Sequence, residues 1–314
     1  MIPPHEQLAP VALFVFNRPD HTTQTLDALA RNTLAPATRL VVFSDGPRSE
    51  ADAKKIEEVR AAVARVRGFR SVQIIKRDHN RGLARSIIDG VSALVAEYGR
   101  VIVVEDDLVT SRHFLQYMND GLRVYQNDDR VASIHAYLYP VEGELPETFF
   151  QRGADCWGWA TWARAWSKFE ANGTALLKEI HARCLVRQFN ANGTRRLTRM
   201  LEDQIAGRND SWAVRWHASA FLQDMLTLYP GRSLVDNIGL DGSGRHCGPS
   251  SLFRVDINDV PVRVERIALT PDRAAETRFE AFFRARSSPL ERMREVVKNG
   301  GVRRALRRLV RDWT

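Results

Sequence analysis

The sequence predicts an α/β fold in which a mostly parallel sheet is flanked by helices. Four short apolar runs have the length of strands, and segments of helical composition separate them. The runs show no polar alternation, which is typical of strands buried on both faces of a parallel sheet. These predicted strands are residues 11–16, 40–43, 72–75 and 101–104.

Helices are predicted at residues 21–31, 50–66 and 83–98. The second is the clearest, because Ile56, Val59 and Val63 recur at three- and four-residue steps with charges between them. The alternation of strands and helices therefore extends through the first third of the chain.

The pattern changes near residue 135, where tryptophans become frequent and helical stretches replace the alternation. We expect a nucleotide-type α/β half at residues 1–135 and a second, helical half at 136–270. No linker rich in Pro, Gly or Ser separates them, so the two are expected to share a core. Residues 271–314 are predicted to form a helical, basic C-terminal tail.

Composition excludes several classes of protein. The chain has 314 residues, 44% hydrophobic and 27% charged, which excludes disordered and collagen-like chains. The longest apolar runs fall far short of the ~18 residues that a membrane span needs. Three widely separated cysteines without a CxxC pattern indicate neither a disulfide framework nor a cysteine zinc site. The first residues lack a secretory signal, so a cytoplasmic location is expected.

The net charge of +8 is concentrated at the C-terminus, where residues 290–314 carry +5. The rest lacks the alternation of aromatic and basic residues found in single-strand binders, so no nucleic-acid partner is expected. Val302, Leu306 and Leu309 share one side of a predicted short helix with arginines around it. Such a helix suits an anionic membrane surface, and a solvated basic tail is the alternative.

Polar residues follow each predicted strand. Ligands of open α/β sheets bind beyond the carboxyl ends of the strands. The residues at these ends are Arg18, Asp45, His79, Arg81 and the run Glu105, Asp106, Asp107. Three consecutive carboxylates repel one another unless a cation neutralises them, and hard oxygen ligands suit Mg²⁺ or Mn²⁺ holding a diphosphate. A solvated acidic turn is the alternative.

Two common phosphate-binding motifs are absent from the sequence. There is no Gly-x-x-x-x-Gly-Lys-Ser/Thr, and no Gly-x-Gly-x-x-Gly follows a strand. P-loop hydrolysis and dinucleotide redox chemistry therefore lack their usual signatures. We expect a cation at Asp107, with Arg18 and Arg81 nearby, to hold the phosphates instead.

Several motifs resemble those of glycosyltransferases of the GT-A fold. They are Val-Phe-Asn-Arg at 15–18, Ser-Asp-Gly at 44–46, His-Asn-Arg-Gly-Leu at 79–83, Val-Val-Glu-Asp-Asp-Leu at 103–108 and Gly-Ser-Gly-Arg-His at 242–246. The resemblance runs from roughly residue 10 to 250 and is to bacterial family-2-like sugar transferases and, more distantly, to N-acetylglucosaminyltransferase I. It implies a GT-A (Rossmann-like) fold, a nucleotide-sugar donor and a divalent metal, Mn²⁺ or Mg²⁺.

The resemblance also implies roles for particular residues. Asp107 would bind the metal with His246, and Glu105 and Asp106 would face the ribose and the donor sugar. The residues that would line the nucleotide pocket are Arg18, Asp45, His79 and Arg81. Among these, Asp45 would accept a hydrogen bond from the base. Outside the resemblance, a histidine among glycines is more often an ordinary loop residue.

An inverting transferase needs a carboxylate to deprotonate the acceptor hydroxyl. Asp210 resembles the position of this base in N-acetylglucosaminyltransferase I, although the second aspartate of that Asp-Asp-Trp stretch is Ser211 here. Asp155 and Asp224 are the other candidates. The alternative for Asp210 is that it caps the helix predicted to start near Ser211.

The tryptophans allow two interpretations. Indole faces stack on the C–H surfaces of sugars, so Trp157 or Trp159 is a candidate sugar platform in the cleft. Packing in the core is the alternative, and it is the expected role of Trp162, Trp166, Trp212 and Trp216, which form pairs at helical spacing.

These features favour a metal-dependent, inverting transfer of a sugar to a hydroxyl of a glycan or lipid-linked glycan, as in the assembly of bacterial surface polysaccharide. The protein would act in the cytoplasm, peripherally on the inner face of the plasma membrane. A sugar-1-phosphate nucleotidyltransferase is an alternative, although Asn17-Arg18-Pro19 is not the glycine-rich loop usual in that class. A non-catalytic carbohydrate- or nucleotide-binding module is the third possibility. An assay of the products distinguishes the three: a transferase releases nucleoside diphosphate, a nucleotidyltransferase releases pyrophosphate, and a binding module shows no turnover.

Overall fold

The structure is a computed structural model that describes residues 8–242 and 252–287. An eight-stranded sheet flanked by helices forms its centre. Six of the strands run in one direction, as the register of their pairs shows. The prediction of an α/β fold with a mostly parallel sheet is confirmed.

The first third alternates strands and helices as the apolar runs predict. The elements are β1 (Val11–Val15), α1 (Pro19–Ala30), β2 (Arg39–Ser44), α2 (Glu50–Arg65), β3 (Ser71–Lys76), α3 (Leu83–Tyr98) and β4 (Arg100–Glu105), with a short 3₁₀ helix at Ala35–Ala37 before β2. The side chain of Ser49 accepts a hydrogen bond from the backbone N–H of Asp52 and so caps α2. Gly99 ends α3 in the left-handed conformation, with φ of 74°.

The rest of the chain, from residue 108 onward, adds both strands and helices. Its strands are β5 (Leu108–Thr110), β6 (Val131–His135), β7 (Thr148–Arg152), β8 (Trp159–Trp162), β9 (Leu226–Pro230) and β10 (Val235–Asn237). Its helices are α4 (Phe114–Val124), α5 (Ala163–Trp166), α6 (Gly173–Ala182), α7 (Val186–Phe189), α8 (Leu197–Ile205), α9 (Trp212–Leu222) and α10 (Arg273–Ser287). The expectation that helices replace strands beyond residue 135 is therefore met only in part, because β7, β8 and β9 belong to the main sheet.

The strand order in the main sheet is β3-β2-β1-β4-β8-β6-β9-β7. Strands β3 to β4 are mutually parallel, whereas β8 runs antiparallel between β4 and β6. Strands β5 and β10 form a separate antiparallel pair. The burial predicted for the third strand is wrong, because β3 lies at the margin of the sheet and Val72 is 38% exposed.

Aromatic packing fills the core between the sheet and α9. The side chain of Trp159 is completely buried, and its ring stacks on that of Trp212 with centroids 5.4 Å apart. Trp166 and Trp216 approach the same ring, at 5.8 Å and 6.1 Å. Trp159 is thus a core residue and not the sugar platform expected of it, because α9 covers its ring.

None of the helices in the described ranges is long and apolar enough to cross a bilayer.

Candidate functional site

The carboxyl ends of β1, β2 and β4 bring three sequence-predicted groups to one edge of the sheet. Val15 is in register with Ser44, and Phe14 with Glu105. The residues that follow these strands therefore lie side by side at this edge, as is usual for ligand sites in open α/β sheets. We call this the donor edge, because the resemblance to GT-A glycosyltransferases implies that a nucleotide-sugar donor binds here.

Arg18 pairs with two of the carboxylates that follow β4. Its Nη2 donates hydrogen bonds to Asp106 Oδ1 and to Asp107 Oδ2, the latter at 2.9 Å. Asp106 is nearly buried, with 6% of its side chain exposed, whereas 15% of Asp107 and 22% of Arg18 are exposed. The backbone N–H of Phe16 also donates to Asp106, at 3.4 Å. Asp106 is thus a buried residue that holds Arg18 and the backbone of Phe16, whereas the side chain of Asp107 is more accessible to a ligand.

The carboxylates outnumber the cation beside them. Burial, together with the charges of Asp107 and Asp106, raises the pKa of Glu105 to about 8. Burial also raises the pKa of Asp106, although Arg18 opposes that shift. Burial alone would lower the pKa of Arg18, but the two aspartates outweigh it and raise this pKa. The net negative charge at the end of β4 favours a second cation there.

The donors at this edge fit a cation that binds protein through few ligands. Within residues 8–242 and 252–287, no group of three or more His, Cys, Asp or Glu side chains is close enough to hold a metal ion by itself. Mg²⁺ is usually bound by one or two carboxylates together with substrate phosphates, so Asp107 alone can supply the protein ligand. His246, the other predicted ligand, lies outside the described residues.

The segment after β10 fixes the position of Asp107. The backbone N–H of Ile238 donates to the carbonyl oxygen of Asp107 at 2.9 Å. A Cβ atom added to Gly239 would lie 2.8 Å from Asp107 Cγ and 2.9 Å from Arg18 Nη1, closer than van der Waals contact. Glycine at 239 therefore lets the chain pass directly over this pair.

Asp45 holds the loop that connects β3 to α3. Its carboxylate accepts hydrogen bonds from the backbone N–H groups of Gly46, Arg81 and Gly82 and from Asn80 Nδ2, all at 2.9–3.0 Å. The residue is only 7% exposed. The four donors occupy the lone pairs of the carboxylate, which corrects the expectation that Asp45 accepts from a base.

The loop presents the two other predicted pocket residues. His79 and Arg81 are both exposed, and Gly46 packs against the backbone of His79. The guanidinium of Arg81 lies 3.7 Å from Asp89 and half of its side chain is exposed. Both side chains are therefore accessible beside the donor edge.

Asp210 lies next to the same loop. Its Oδ2 is 3.7 Å from the position of a Cβ added to Gly82, and its side chain is 65% exposed. Arg215 Nη2 approaches its other oxygen at 3.5 Å. The helix-cap alternative is wrong, because Ser211 caps α9 by accepting from the backbone N–H of Val214 at 3.2 Å.

The two other candidate bases occupy different places. Asp224 precedes β9 at the opposite end of the parallel strands and pairs with Arg130 and Arg152, so it cannot reach the donor edge. Asp155 faces the interior and accepts from the hydroxyls of Tyr139, at 2.6 Å, and Tyr229, at 3.3 Å. Asp224 is therefore excluded as the base.

Trp157 remains the accessible tryptophan of the pair considered for sugar stacking. It is half-buried, and its ring meets Tyr137 edge-on at 4.7 Å and Phe253 at 5.8 Å. Tyr139, Tyr229, Arg195 and His217, which surround Asp155 in the second half, were not identified from the sequence. No motif connects them, since they come from four separate segments.

The sequence profile of glycosyl transferase family 2 matches residues 11–170, which include β1 to β4 and the carboxylates of the donor edge. No curated protein sequence matches the chain.

Solved structures of glycosyltransferases resemble part of the chain at low identity. One is the mannosyltransferase PcManGT from Pyrobaculum calidifontis in complex with GDP-Man and Mn²⁺, with 11% identity, a TM-score of 0.31, and coverage of 43% of this chain and 36% of that one. Another is S. aureus TarS 1–349 in complex with UDP, with 14% identity, a TM-score of 0.31, and coverage of 48% and 41%.

A third is glucosyl-3-phosphoglycerate synthase from Mycobacterium tuberculosis with Mn²⁺, UDP-Glc and phosphoglyceric acid. Its identity is 10% and its TM-score 0.32, with 52% of this chain and 59% of that chain covered. The chain thus spans less than two thirds of each of these proteins. The profile match covers more than half of the chain, and the chain accordingly belongs to glycosyl transferase family 2.

Proposed function

We propose that the protein is a metal-dependent, inverting glycosyltransferase that moves a sugar from a nucleotide-sugar donor to a hydroxyl of a glycan or lipid-linked glycan. The observation that carries this proposal is the group of three carboxylates and one arginine at the donor edge of a family 2 domain. Its excess negative charge suits a divalent cation and, through it, a diphosphate.

Each residue of the donor edge has a proposed part in donor binding. Asp107 would hold Mn²⁺ or Mg²⁺, which when bound neutralises the diphosphate and stabilises it as a leaving group. Arg18 positions Asp107 and is itself a donor to phosphate oxygens. Glu105 and Asp106 lie beside it toward the donor sugar. The exposed side chains of His79 and Arg81 contact the nucleotide, on a loop that Asp45 keeps in place.

Asp210 is the proposed general base. Its exposed carboxylate stands beside the donor edge, where it can take the proton of an acceptor hydroxyl as that oxygen attacks the anomeric carbon. The nucleoside diphosphate leaves from the opposite face, which inverts the configuration. Trp157 supplies an indole face for a sugar ring near this centre.

The two halves of the chain have different proposed roles in binding, one for the donor and one for the acceptor. Residues 1–135 would bind the donor, residues 136–270 the acceptor, and the sheet that joins them sets their relative position.

The basic segment 290–314 lies outside the described residues, and we propose that it binds anionic lipid on the cytoplasmic face of the membrane. That location gives access to lipid-linked acceptors of surface polysaccharide assembly. Sedimentation with anionic vesicles, with and without residues 290–314 and at low and high salt, tests this role.

Metal-dependent nucleotide binding tests the proposed function. Nucleoside diphosphates with Mn²⁺ should raise the unfolding temperature of the wild-type protein, because a ligand at 100 times its Kd adds about 2.7 kcal/mol of stability. Asp107→Ala should abolish this shift. Asp259→Ala removes a carboxylate that is 58% exposed on the surface beside Arg112, and it should leave the shift unchanged.

The products of turnover separate the remaining possibilities. Nucleoside diphosphate released from a nucleotide sugar in the presence of metal supports the transferase. Pyrophosphate release instead indicates a sugar-1-phosphate nucleotidyltransferase. Binding without turnover of any donor indicates a binding module.

A further inference from the structure

A cavity of about 690 Å³ lies in the second half of the chain, apart from the carboxylates of the donor edge. Pockets of 300–1,000 Å³ are typical of small-ligand sites. The aromatic side chains of Phe189, Phe221 and Phe279 form part of its wall, and such rings pack against the C–H faces of sugars. Its size and its mixture of aromatic and polar lining residues fit one or two sugar residues.

Asp155 is the acidic group inside this cavity. Its Oδ2 accepts from Tyr139 and Tyr229, and its Oδ1 accepts from the backbone N–H of Cys156 at 3.1 Å. Burial alone would raise the pKa of Asp155, but His135, Arg195 and the Tyr139 hydroxyl lower it, so the carboxylate is ionised at neutral pH. It can accept a further hydrogen bond from a sugar hydroxyl.

Arg195 is a half-buried cation that lines the cavity, and no acidic side chain among residues 8–242 and 252–287 forms an ion pair with it. Its guanidinium lies 4.8 Å from the centroid of the Phe283 ring, and the described residues give its side chain no hydrogen bond and no ion pair. Asp155 is therefore more than 4.0 Å from it. Burial alone would lower the pKa of Arg195, but Tyr139 and Asp155 raise it, so the charge persists. A partly buried guanidinium of this kind favours a carboxylate or a phosphate as its partner.

The acidic residues at the rim, Glu276 and Glu280, form no ion pair with Arg195 in the described part of the chain. Glu280 accepts from Asn192 at 2.5 Å and lies 3.7 Å from Arg284. Arg152, another residue of the rim, pairs with Asp224 at 2.9 Å. Arg187 and Arg273 also line the cavity but are exposed, so the half-buried guanidinium that can meet an anion there is that of Arg195.

Cys156 connects the cavity to the donor edge. Burial raises the pKa of its thiol, and the charges of Asp155, Glu105 and Asp107 add to this shift. Val103 is in register with Trp159, so the segment that holds Asp155 and Cys156 and leads into β8 reaches the same end of the sheet as Glu105. A ligand in the cavity would approach the donor edge from the side of the second half.

We infer that this cavity binds the acceptor, and that the acceptor is an acidic saccharide of one or two sugar units whose carboxylate or phosphate pairs with Arg195. Asp155 accepts from a hydroxyl of the same sugar, and the aromatic wall packs against its ring. The assignment as acceptor rests on the proposed function, whereas the binding of an acidic sugar does not.

Calorimetric titration without nucleotide tests the inference with glucuronic acid, glucose 6-phosphate and glucose as probes. The wild-type protein should bind at least one acidic sugar ten times or more tighter than glucose, since a charge-assisted hydrogen bond accounts for at least about a tenfold change in affinity. The two acidic probes distinguish a carboxylate from a phosphate. Equal affinity for the three sugars, or no binding of any, would overturn the inference.

Two neighbouring arginines provide a matched pair of variants. Arg195→Gln should abolish the preference for the acidic sugar, whereas Arg196→Gln, an exposed neighbour outside the cavity lining, should keep it. Arg195→Lys retains the charge but lacks the planar guanidinium, so it should keep part of the preference for the acidic sugar. This variant replaces Arg195→Gln in the test if Arg195→Gln does not fold. A preference that survives in Arg195→Gln would overturn the inference. Failure of nucleoside diphosphates to bind with Mn²⁺ would instead count against the donor site alone.

Discussion

Gly239→Ala is expected to disable the donor edge while the fold stays intact. The added methyl group would lie 2.8 Å from Asp107 Cγ and 2.9 Å from Arg18 Nη1, both well inside van der Waals contact. The carboxylate must therefore move by roughly 1 Å to restore ordinary packing. This movement disrupts the 2.9 Å hydrogen bond between Arg18 and Asp107.

The expected loss of activity follows from the displacement of the Asp107 carboxylate. A displacement of about 1 Å at a catalytic centre lowers the rate by ~10²-fold, and we expect kcat/KM for donor turnover to fall by that amount. Affinity for nucleoside diphosphate in the presence of Mn²⁺ should fall with it. The free energy of unfolding should change by only about 1 kcal/mol, because two side chains at the edge of the site can shift without opening the core.

Gly99→Ala is the control for the substitution itself. Gly99 has φ of 74° and open space around its Cβ position, and it lies at the far end of β4 from the donor edge. This variant should lose about 1 kcal/mol of stability through backbone strain yet keep normal metal-dependent nucleotide binding. Wild-type turnover by Gly239→Ala would refute the proposal that the position of Asp107 controls activity.

Three further predictions concern single residues. Asp210→Asn should retain donor binding while kcat falls ~10²-fold or more in a steady-state assay, and Asp224→Asn should not affect kcat; equal rates for both variants exclude Asp210 as the base. Asp45→Ala should lower the free energy of unfolding in urea by about 2–4 kcal/mol, because buried backbone donors lose their acceptor; a loss below ~0.5 kcal/mol contradicts its role in holding the loop. Burial lowers the pKa of His135 to about 4 against an ordinary 6.5, so protonation of this residue in the unfolded chain should reduce stability as pH falls from about 6.5 through 4, and His135 contributes at most ~1.4 kcal/mol per pH unit to the slope. His135→Leu should flatten this slope in urea titrations, and an unchanged slope would assign the effect to other groups.

The strands of the first third could be predicted because their signal is local. Each apolar run is read within a few residues, and the polar residues that follow it must lie at the end of that strand. Glu105, Asp106 and Asp107 were identified in this way. The pattern could not show that β3 lies at the margin of the sheet, because strand order depends on which segments pair across the whole chain.

Roles that depend on contacts between distant segments were predicted less well. Asp45 was expected to be free to bind a base, but residues 35–37 positions later in the chain occupy its oxygens. Trp159 was a candidate for the cleft, but α9 covers it, more than fifty residues further on. A side chain's type gives its chemistry, whereas burial is set by what packs against it.

The amino-acid sequence was sufficient to predict the alternation of strands and helices, the position of three carboxylates after β4 and the concentration of charge in the last 25 residues. Only the tertiary structure placed Arg18 on Asp106 and Asp107, across nearly ninety residues, and brought Asp155 and Arg195 into one cavity. Local patterns follow from backbone geometry and hydrophobic periodicity within a few turns. The neighbours of a charged group, and hence what it can bind, depend on how the whole sheet and its helices close around it.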